Sequence, residues 1–293
     1  MIRKAVIPAA GYGTRFLPLT KALPKEMLPV LDKPVIQYVV EEALASGIQD
    51  ILIIVSRVKR AIEEHFDRHP ELEDLLASKG RNADLEAIRR IASLAHVHFD
   101  WQKSMGGLGD AILCARDHVG DEPFAVLLGD TLVESPEPLT RQLMGVHDRL
   151  GGCAVALEEV SAEKVSRYGI VRGKALDGYL WRIHDLVEKP AAVDAPSHLA
   201  IAGRYVLVPE VFDVLQDLAP GRNGEIQLTD ALRAMAGAGG LHGLRFEGER
   251  HDLGNKLDWL EANVAYGLAA EDIGREFRGF LERLLREAPP GGK

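Results

Sequence analysis

Residues 9–25 read AAGYGTRFLPLTKALPK, and the architecture follows from how this stretch is flanked. Before it, Ala5-Val6-Ile7-Pro8 is a short apolar run, read as a buried first strand that ends at a loop. After it, Val35, Ile36, Val39, Val40, Ala43 and Leu44 have helical spacing. Asp32 is the expected N-cap, Pro34 lies near the first turn, and Gly47 is the stop. Ile51 to Val55 is an uninterrupted β-branched and leucine run, expected as a buried parallel strand. Strand, loop, helix and strand make a βαβ unit, and ligands of such sheets sit beyond the carboxyl ends of the strands. The loop itself carries Gly11, Gly13 and the cations Arg15, Lys21 and Lys25. Free backbone N–H groups, a guanidinium fork and mobile ammonium groups together make an anion cradle.

The cradle is of neither common kind. A dinucleotide fingerprint needs glycine where Phe16 stands, and a P-loop needs four residues between its glycines followed by Gly-Lys-Ser/Thr. Phe16 therefore disfavours a nicotinamide-dependent oxidoreductase. The formal net charge of -9 argues against non-specific nucleic-acid binding, but not against a small anionic substrate where cations gather locally. Cys114 and Cys153 sit among apolar neighbours and read as small buried hydrophobes. No signal pattern opens the chain and no apolar stretch reaches spanning length, so a cytoplasmic protein without membrane contact is expected.

Further along, Leu28 to Leu31 reads as an apolar connector, Lys59 to Asp67 as helix, and Glu71 to Ala95 as a charged helical excursion. His65 and His69 stand four apart but lack a third ligand, so a solvated face is expected. Phe124 to Leu128 is a third buried strand ending in Gly129-Asp130. A carboxylate at that strand end, beside a phosphate cradle, suits Mg²⁺, which takes one or two carboxylates plus phosphate oxygens and water. Leu180 to Leu186 alternates and leads into Val187-Glu188-Lys189-Pro190. There a carboxylate can accept from sugar hydroxyls while the adjacent ammonium reaches a phosphate. Helices are expected from about Ala111 and at 136–150, 255–270 and 271–288, the last with an apolar stripe of Leu281, Leu284 and Leu285. That stripe can pack on its own subunit or on a second one.

The pattern G-x-G-T-R, L-P-x-T-K and P-K resembles the sugar-phosphate nucleotidyltransferases, and within them the bacterial-type uridylyltransferases. The resemblance runs from Lys4 to about Tyr266 and rests on five separate stretches. It implies an α/β fold, Rossmann-like, with three α/β/α layers and a mixed, mostly parallel central sheet. The whole of 1–293 is expected as one domain, with a helical extension at about 271–293. It implies UTP and α-D-glucose 1-phosphate as substrates, Mg²⁺ as cofactor, and a homo-oligomer. Ala9, Ala10, Gly11 and Gly13 would hold the nucleotide, Arg15 the leaving pyrophosphate, Lys25 the attacked phosphate and Lys189 the sugar phosphate. Gln102 with Gly107 and Gly109 would hold uracil; Tyr168, Gly169 and Glu188 would hold the sugar. Asp130 would order the metal, with Asp252 a weaker second ligand. The Glu225 to Asp230 block is expected to buttress the sugar site or a subunit contact.

The chain also departs from the pattern. Where the family commonly has Glu-Pro-Leu before Gly-Leu-Gly and a His after it, this chain has Ser104-Met105-Gly106 and Asp110; Thr131 replaces a frequent second Asp. Rival readings are the same fold acting on dTTP or another sugar 1-phosphate, and a silent nucleotide-sugar-binding regulatory paralogue. Since a phosphate monoester with a second pKa of about 6 is already ionised at neutral pH, the chemistry needs no general base.

Overall fold

A computed structural model describes residues 2–221 and 224–287. The strands, in chain order, are β1 (Lys4–Pro8), β2 (Pro29–Val30), β3 (Lys33–Pro34), β4 (Asp50–Val55), β5 (His96–Trp101), β6 (Phe124–Leu127), β7 (Thr131–Glu134), β8 (Cys153–Glu159), β9 (Gly169–Ala175), β10 (Leu180–Glu188), β11 (Leu199–Leu207), β12 (Leu241–Arg245) and β13 (Glu249–Asp252). The helices are α1 (Val35–Ala45), α2 (Arg60–Phe66), α3 (Pro70–Ser78), α4 (Asn82–Ala92), α5 (Leu108–Leu113), α6 (Arg116–Val119), α7 (Leu139–Leu150), α8 (Glu210–Asp217), α9 (Leu228–Gly237), α10 (Lys256–Ala269) and α11 (Gly274–Glu287).

Nine strands form one sheet in the order β5-β4-β1-β6-β11-β8-β12-β10-β9. The ladders β5–β4, β4–β1, β1–β6 and β8–β12 are parallel, while β11 and β10 run against their neighbours. Seven of the nine strands therefore point the same way, the mixed and mostly parallel sheet expected. Successive residues of β1 and β4 face opposite sides, as strand geometry requires. Ala5, Ile7, Ile51 and Ile53 enter one core with α1, α2 and α7; Val6, Leu52 and Ile54 enter the other with α5, α8 and α9. That is why these strands read as continuous apolar runs, and why the fold has three layers. The chain moves from β1 to β4 and β5 on one side, and to β6 on the other. The glycine loop leaves β1 at this reversal of strand order, where such sheets open a crevice.

Several local expectations need correction. Leu28 to Leu31 is no simple connector: β2 and β3 pair as a tight hairpin, with Leu31 at φ 56°. Asp32 lies in its turn, so the residue before α1 is Pro34, which offers no side-chain cap. The stretch 71–95 is two helices, because Gly80 at φ 67° turns the chain between α3 and α4. His69 caps α3 by accepting from the Leu72 N–H, and His65 meets Gln37, so neither acts as half of a metal pair. The helix expected from about Ala111 begins at Leu108, the last from Gly274. The end of the proposed extension, 288–293, lies outside the described residues, as do Arg222 and Asn223. The short pair β7–β13 was not foreseen: it sets Asp252 opposite Thr131, and the Leu253 N–H donates to the Asp130 carbonyl at 3.0 Å. No helix among the described residues is long and apolar enough to cross a membrane.

One buried ion pair fastens the sheet to the helices on the first face. Arg204 of β11 is fully buried and grips Glu42 of α1 through Nε and Nη2 at 2.9 and 2.7 Å. Its Nη2 also donates to the Thr131 carbonyl at 2.7 Å, and Nη1 to that of Gly203 at 3.0 Å. Glu42 accepts in addition from the Thr140 hydroxyl of α7 at 2.7 Å. Removing one partner of such a pair strands the other charge in low dielectric, at a cost of about 3–5 kcal/mol. Glu42→Ala should lose that much stability in a urea titration. Arg204→Met combined with Glu42→Leu, which leaves no orphan charge, should lose far less.

Candidate functional site

The glycine loop is built as an open donor array. The N–H groups of Ala10, Gly11, Tyr12 and Gly13 make no hydrogen bond among the described residues, whereas the Ala9 N–H is used by the Ile54 carbonyl at 2.8 Å. Gly13 sits at φ 63°, and a Cβ there would approach Lys25 Cβ to 3.0 Å. Its carbonyl accepts from the Thr20 hydroxyl at 2.8 Å, which fixes the turn. A Cβ at Gly11 would meet nothing within 4 Å, so the protein's own packing does not demand that glycine.

Beneath the loop lies a chain of alternating charges. Lys59 Nζ meets Glu26 Oε2 at 2.7 Å, and Lys25 Nζ meets Asp130 Oδ2 at 2.5 Å. Burial pushes the Glu26 carboxyl up and the Lys59 ammonium down, and their mutual attraction offsets only part of this. For the other pair, attraction wins. Burial would lower Lys25, but Asp130 and then Glu26 hold it above its usual value. Burial would raise Asp130, but Lys25 holds it low. Asp130 is therefore ionised and Lys25 protonated at neutral pH. Both open partly toward a cavity of about 440 Å³, lined also by Gly11, Gly13, Gln102, Gly107 and Lys189. Glu26 and Lys59 carry no motif signal: Glu26 reads as a neighbour of Lys25, and Lys59 as the start of a surface helix. Only their shared burial reveals them.

A second cavity, of about 750 Å³, adjoins the first through Lys189, Glu225 and Gln227. Glu188 accepts from the Thr229 hydroxyl at 2.6 Å and lies 2.9 Å from Lys189 Nζ. Gly169 is beside it: a Cβ there would come within 3.3 Å of Glu188 Oε2. Thr229, from the 225–230 block, thus orients the Glu188 carboxylate. Lys189 adopts φ 44°, a left-handed conformation rare outside glycine, and its N–H donates to the Tyr168 carbonyl at 3.0 Å. Backbone strain of this kind collects at functional sites.

The remaining candidates are distributed less simply. The Arg15 side chain is exposed and stands outside the cavity walls, where Nη1 donates to the Gly254 carbonyl at 3.1 Å. Tyr168 does not line the second cavity with Glu188; its hydroxyl donates to Asp252 at 2.7 Å, under the Arg250 guanidinium. Asp252 is beside Asp130 in the backbone, yet its carboxylate is engaged by Tyr168, by Arg167 at 3.0 Å and by the Gly254 N–H. Gly107 and Gly109 pack on the 225–226 backbone: the Gly109 N–H donates to the Ile226 carbonyl at 2.8 Å, and the Ile226 N–H to the Gly106 carbonyl at 2.7 Å. A Cβ at either glycine would stand 2.8 Å from Ile226 O. No group of three or more His, Cys, Asp or Glu among the described residues forms a metal cage. A single carboxylate facing an open array of N–H donors suits Mg²⁺, which takes one or two carboxylates and fills its other positions with phosphate oxygens and water.

Lys59→Met leaves Glu26 buried with one cation fewer. The variant should be about 3–5 kcal/mol less stable at pH 8. Glu26 would then titrate higher still in the folded state, so the deficit should shrink as pH falls toward 4.5, its ordinary value. Denaturant titrations across pH check both statements.

The geometry agrees with the relatives of the chain. The profile described as "Nucleotidyl transferase" matches residues 4–267. The UTP–glucose-1-phosphate uridylyltransferase YngB of Bacillus subtilis (strain 168) is 50% identical over 285 residues, covering 97% of this chain and 96% of the relative. The UTP–glucose-1-phosphate uridylyltransferase of Staphylococcus epidermidis (strain ATCC 12228 / FDA PCI 1200) is 47% identical over 283 residues, covering 97% and 98%. Among solved structures, a UDP-glucose pyrophosphorylase complexed with UDP-glucose superposes with a TM-score of 0.84 at 44% identity, covering 92% of this chain and 100% of the other. A UTP-bound enzyme from Acinetobacter baumannii does so with a TM-score of 0.89 at 37% identity, covering 97% and 100%. The chain is a member of the nucleotidyl transferase family.

Proposed function

We propose that the chain is a uridylyltransferase that joins UTP and α-D-glucose 1-phosphate, giving UDP-glucose and pyrophosphate. The observation that carries this reading is the meeting of two cavities at Lys189, one walled by the donor loop and one by Glu188. An oxygen of the sugar phosphate attacks the α-phosphorus of UTP. The bond from that phosphorus to the bridging oxygen breaks, and pyrophosphate leaves with the electron pair. No proton need move, since the attacking phosphate is already ionised.

The obstacle is charge. Two like unit charges 4 Å apart repel by roughly 4 kcal/mol at an effective dielectric of about 20, and two polyanions present several such terms. Fixed cations and pre-aimed donors must offset them, the main catalytic device of phosphoryl transfer. We assign the N–H groups of residues 10–13 to the triphosphate, and Lys25 to the attacked phosphate. Lys189 takes the sugar phosphate, Glu188 the sugar hydroxyls, and Gln102 the base. Gly169 leaves room for the ring. Arg15, at the rim on Gly254, takes the leaving pyrophosphate. Asp130 would hold Mg²⁺, which supplies further neutralisation of the phosphates when bound. Asp252, already satisfied by Arg167 and Tyr168, is the weaker ligand candidate.

Pyrophosphate release should require UTP, glucose 1-phosphate and Mg²⁺ together, and should cease with excess EDTA. Absence of release with UTP and every sugar 1-phosphate tried overturns the reading. Release with dTTP in preference to UTP replaces the nucleotide. Lys25→Ala should lower kcat by roughly 10²- to 10³-fold, the usual loss for one preorganised charge-stabilising group. Unchanged steady-state turnover in a folded Lys25→Ala protein removes Lys25 from its role.

A further inference from the structure

Gln102 lines the nucleotide cavity at the end of β5, yet its amide is not free to turn. Nε2 donates to the Gly107 carbonyl at 3.0 Å and to Asp110 Oδ2 at 2.7 Å. An amide nitrogen has two hydrogens, so both are used. Both partners are acceptors only. A flipped amide would set its oxygen against a carbonyl and a carboxylate, so the network itself fixes which end is which. The Oε1 of Gln102 receives no hydrogen bond among the described residues.

Asp110 is absent from the cavity wall and acts from behind it. It stands in the first turn of α5. The carboxylate occupies space that a side chain at position 106 would need: a Cβ on Gly106 would lie 2.7 Å from Asp110 Cγ and 2.8 Å from Oδ2. Gly106 and Asp110 are two of the positions at which this chain departs from the pattern it resembles. The two departures adjoin, and Asp110 makes the contact on Gln102.

We propose that Asp110 is a positioning residue for base selection: with the Gly107 carbonyl it occupies the two amide hydrogens of Gln102, which leaves the carbonyl oxygen as the free end of the amide. The proposal rests on the nucleotide-binding reading above and deepens it. A site that offers an acceptor selects a base that brings a ring N–H. Uracil and thymine have one at N3. Cytosine has a lone pair at that atom and would oppose acceptor to acceptor. Sites built on one such hydrogen bond discriminate strongly against the analogue that cannot make it. Gly106 belongs to the device because it leaves the carboxylate its place.

The test compares kcat/KM for UTP and CTP in wild type, Asp110→Asn and Gly106→Ala. Asparagine can donate as well as accept, so it removes one of the two contacts that oppose a turned Gln102 amide and leaves only the Gly107 carbonyl against it. The UTP-to-CTP ratio should fall at least tenfold in Asp110→Asn, carried by KM, with kcat for UTP within about threefold of wild type. Gly106→Ala should lower the ratio in the same direction. It should add little in the Asp110→Asn background, because neighbours acting through one contact are non-additive. A folded Asp110→Asn protein that keeps the wild-type ratio overturns the proposal. So does an equal loss on both nucleotides, which assigns Asp110 to folding alone. Equilibrium binding of UTP and CTP to each protein, without sugar phosphate, decides the same question independently of turnover. If the wild type binds UTP selectively but turns nothing over, the reaction assignment fails while this one stands.

Discussion

Four charges in a row, Lys59, Glu26, Lys25 and Asp130, underlie the glycine loop, and most of the site is positioned by them. Ions taken out of water are costly unless each has a counter-ion and hydrogen bonds. The row meets that condition by alternating sign. It draws in α2 through Lys59, the 25–27 turn through Glu26 and Lys25, and the β6–β7 turn through Asp130. Its two ends differ. The Lys59–Glu26 end is held against burial, which displaces both groups from their ordinary pKa values in the unfavourable direction. At the open end, the attraction between Lys25 and Asp130 outweighs burial, so both remain charged where a triphosphate would arrive. A protein of net charge -9 can thereby present cations at one crevice.

The turn that carries Asp130 is fixed from its other side by Arg204. The β11 ladder shifts register between Ile201 and Tyr205, and Gly203 within that irregularity has φ 74°. Such a bulge re-aims the side chain that follows. The Arg204 guanidinium then reaches the Thr131 carbonyl on one side of Asp130 and Glu42 of α1 on the other. Two buried ionic networks, one under the loop and one under the sheet, therefore meet at a single turn. The Glu188–Thr229 and Gln102–Asp110 contacts repeat the device on a smaller scale. In each, the side chain that faces the cavity is oriented by a second one that does not carry the chemistry.

How far the sequence could be read depended on whether the signal was local. Ala5 to Ile7 and Ile51 to Val55 announced buried strands because both faces of a sheet covered by helices must be apolar. Asp130 and the Glu188-Lys189 pair were legible because strand ends leave a backbone mark. Asp32 was misread because a cap and a turn residue have the same chemistry, and only the β2–β3 hairpin distinguishes them. The start of α5 was misplaced because Gly107 and Gly109 looked like loop residues, whereas they are glycines to let the helix begin against Ile226. Tyr168 adjoins Gly169 in sequence, yet its hydroxyl is drawn to Asp252 across 84 positions, a contact that no local signal announces.

The sequence by itself determined the buried strands of an α/β fold, the glycine loop at the end of the first of them and the gathering of Lys25, Asp130 and Lys189 at one cavity. The strands follow from apolar runs that need cover on both faces, and the gathering from motifs placed at strand ends. Only the tertiary structure decided which charges neutralise each other, that Glu26, Lys59 and Arg204 belong to the site's support, and which way the Gln102 amide faces. Those are properties of pairs far apart in the chain, and the strength of a charge or hydrogen bond depends on burial, which no single position records.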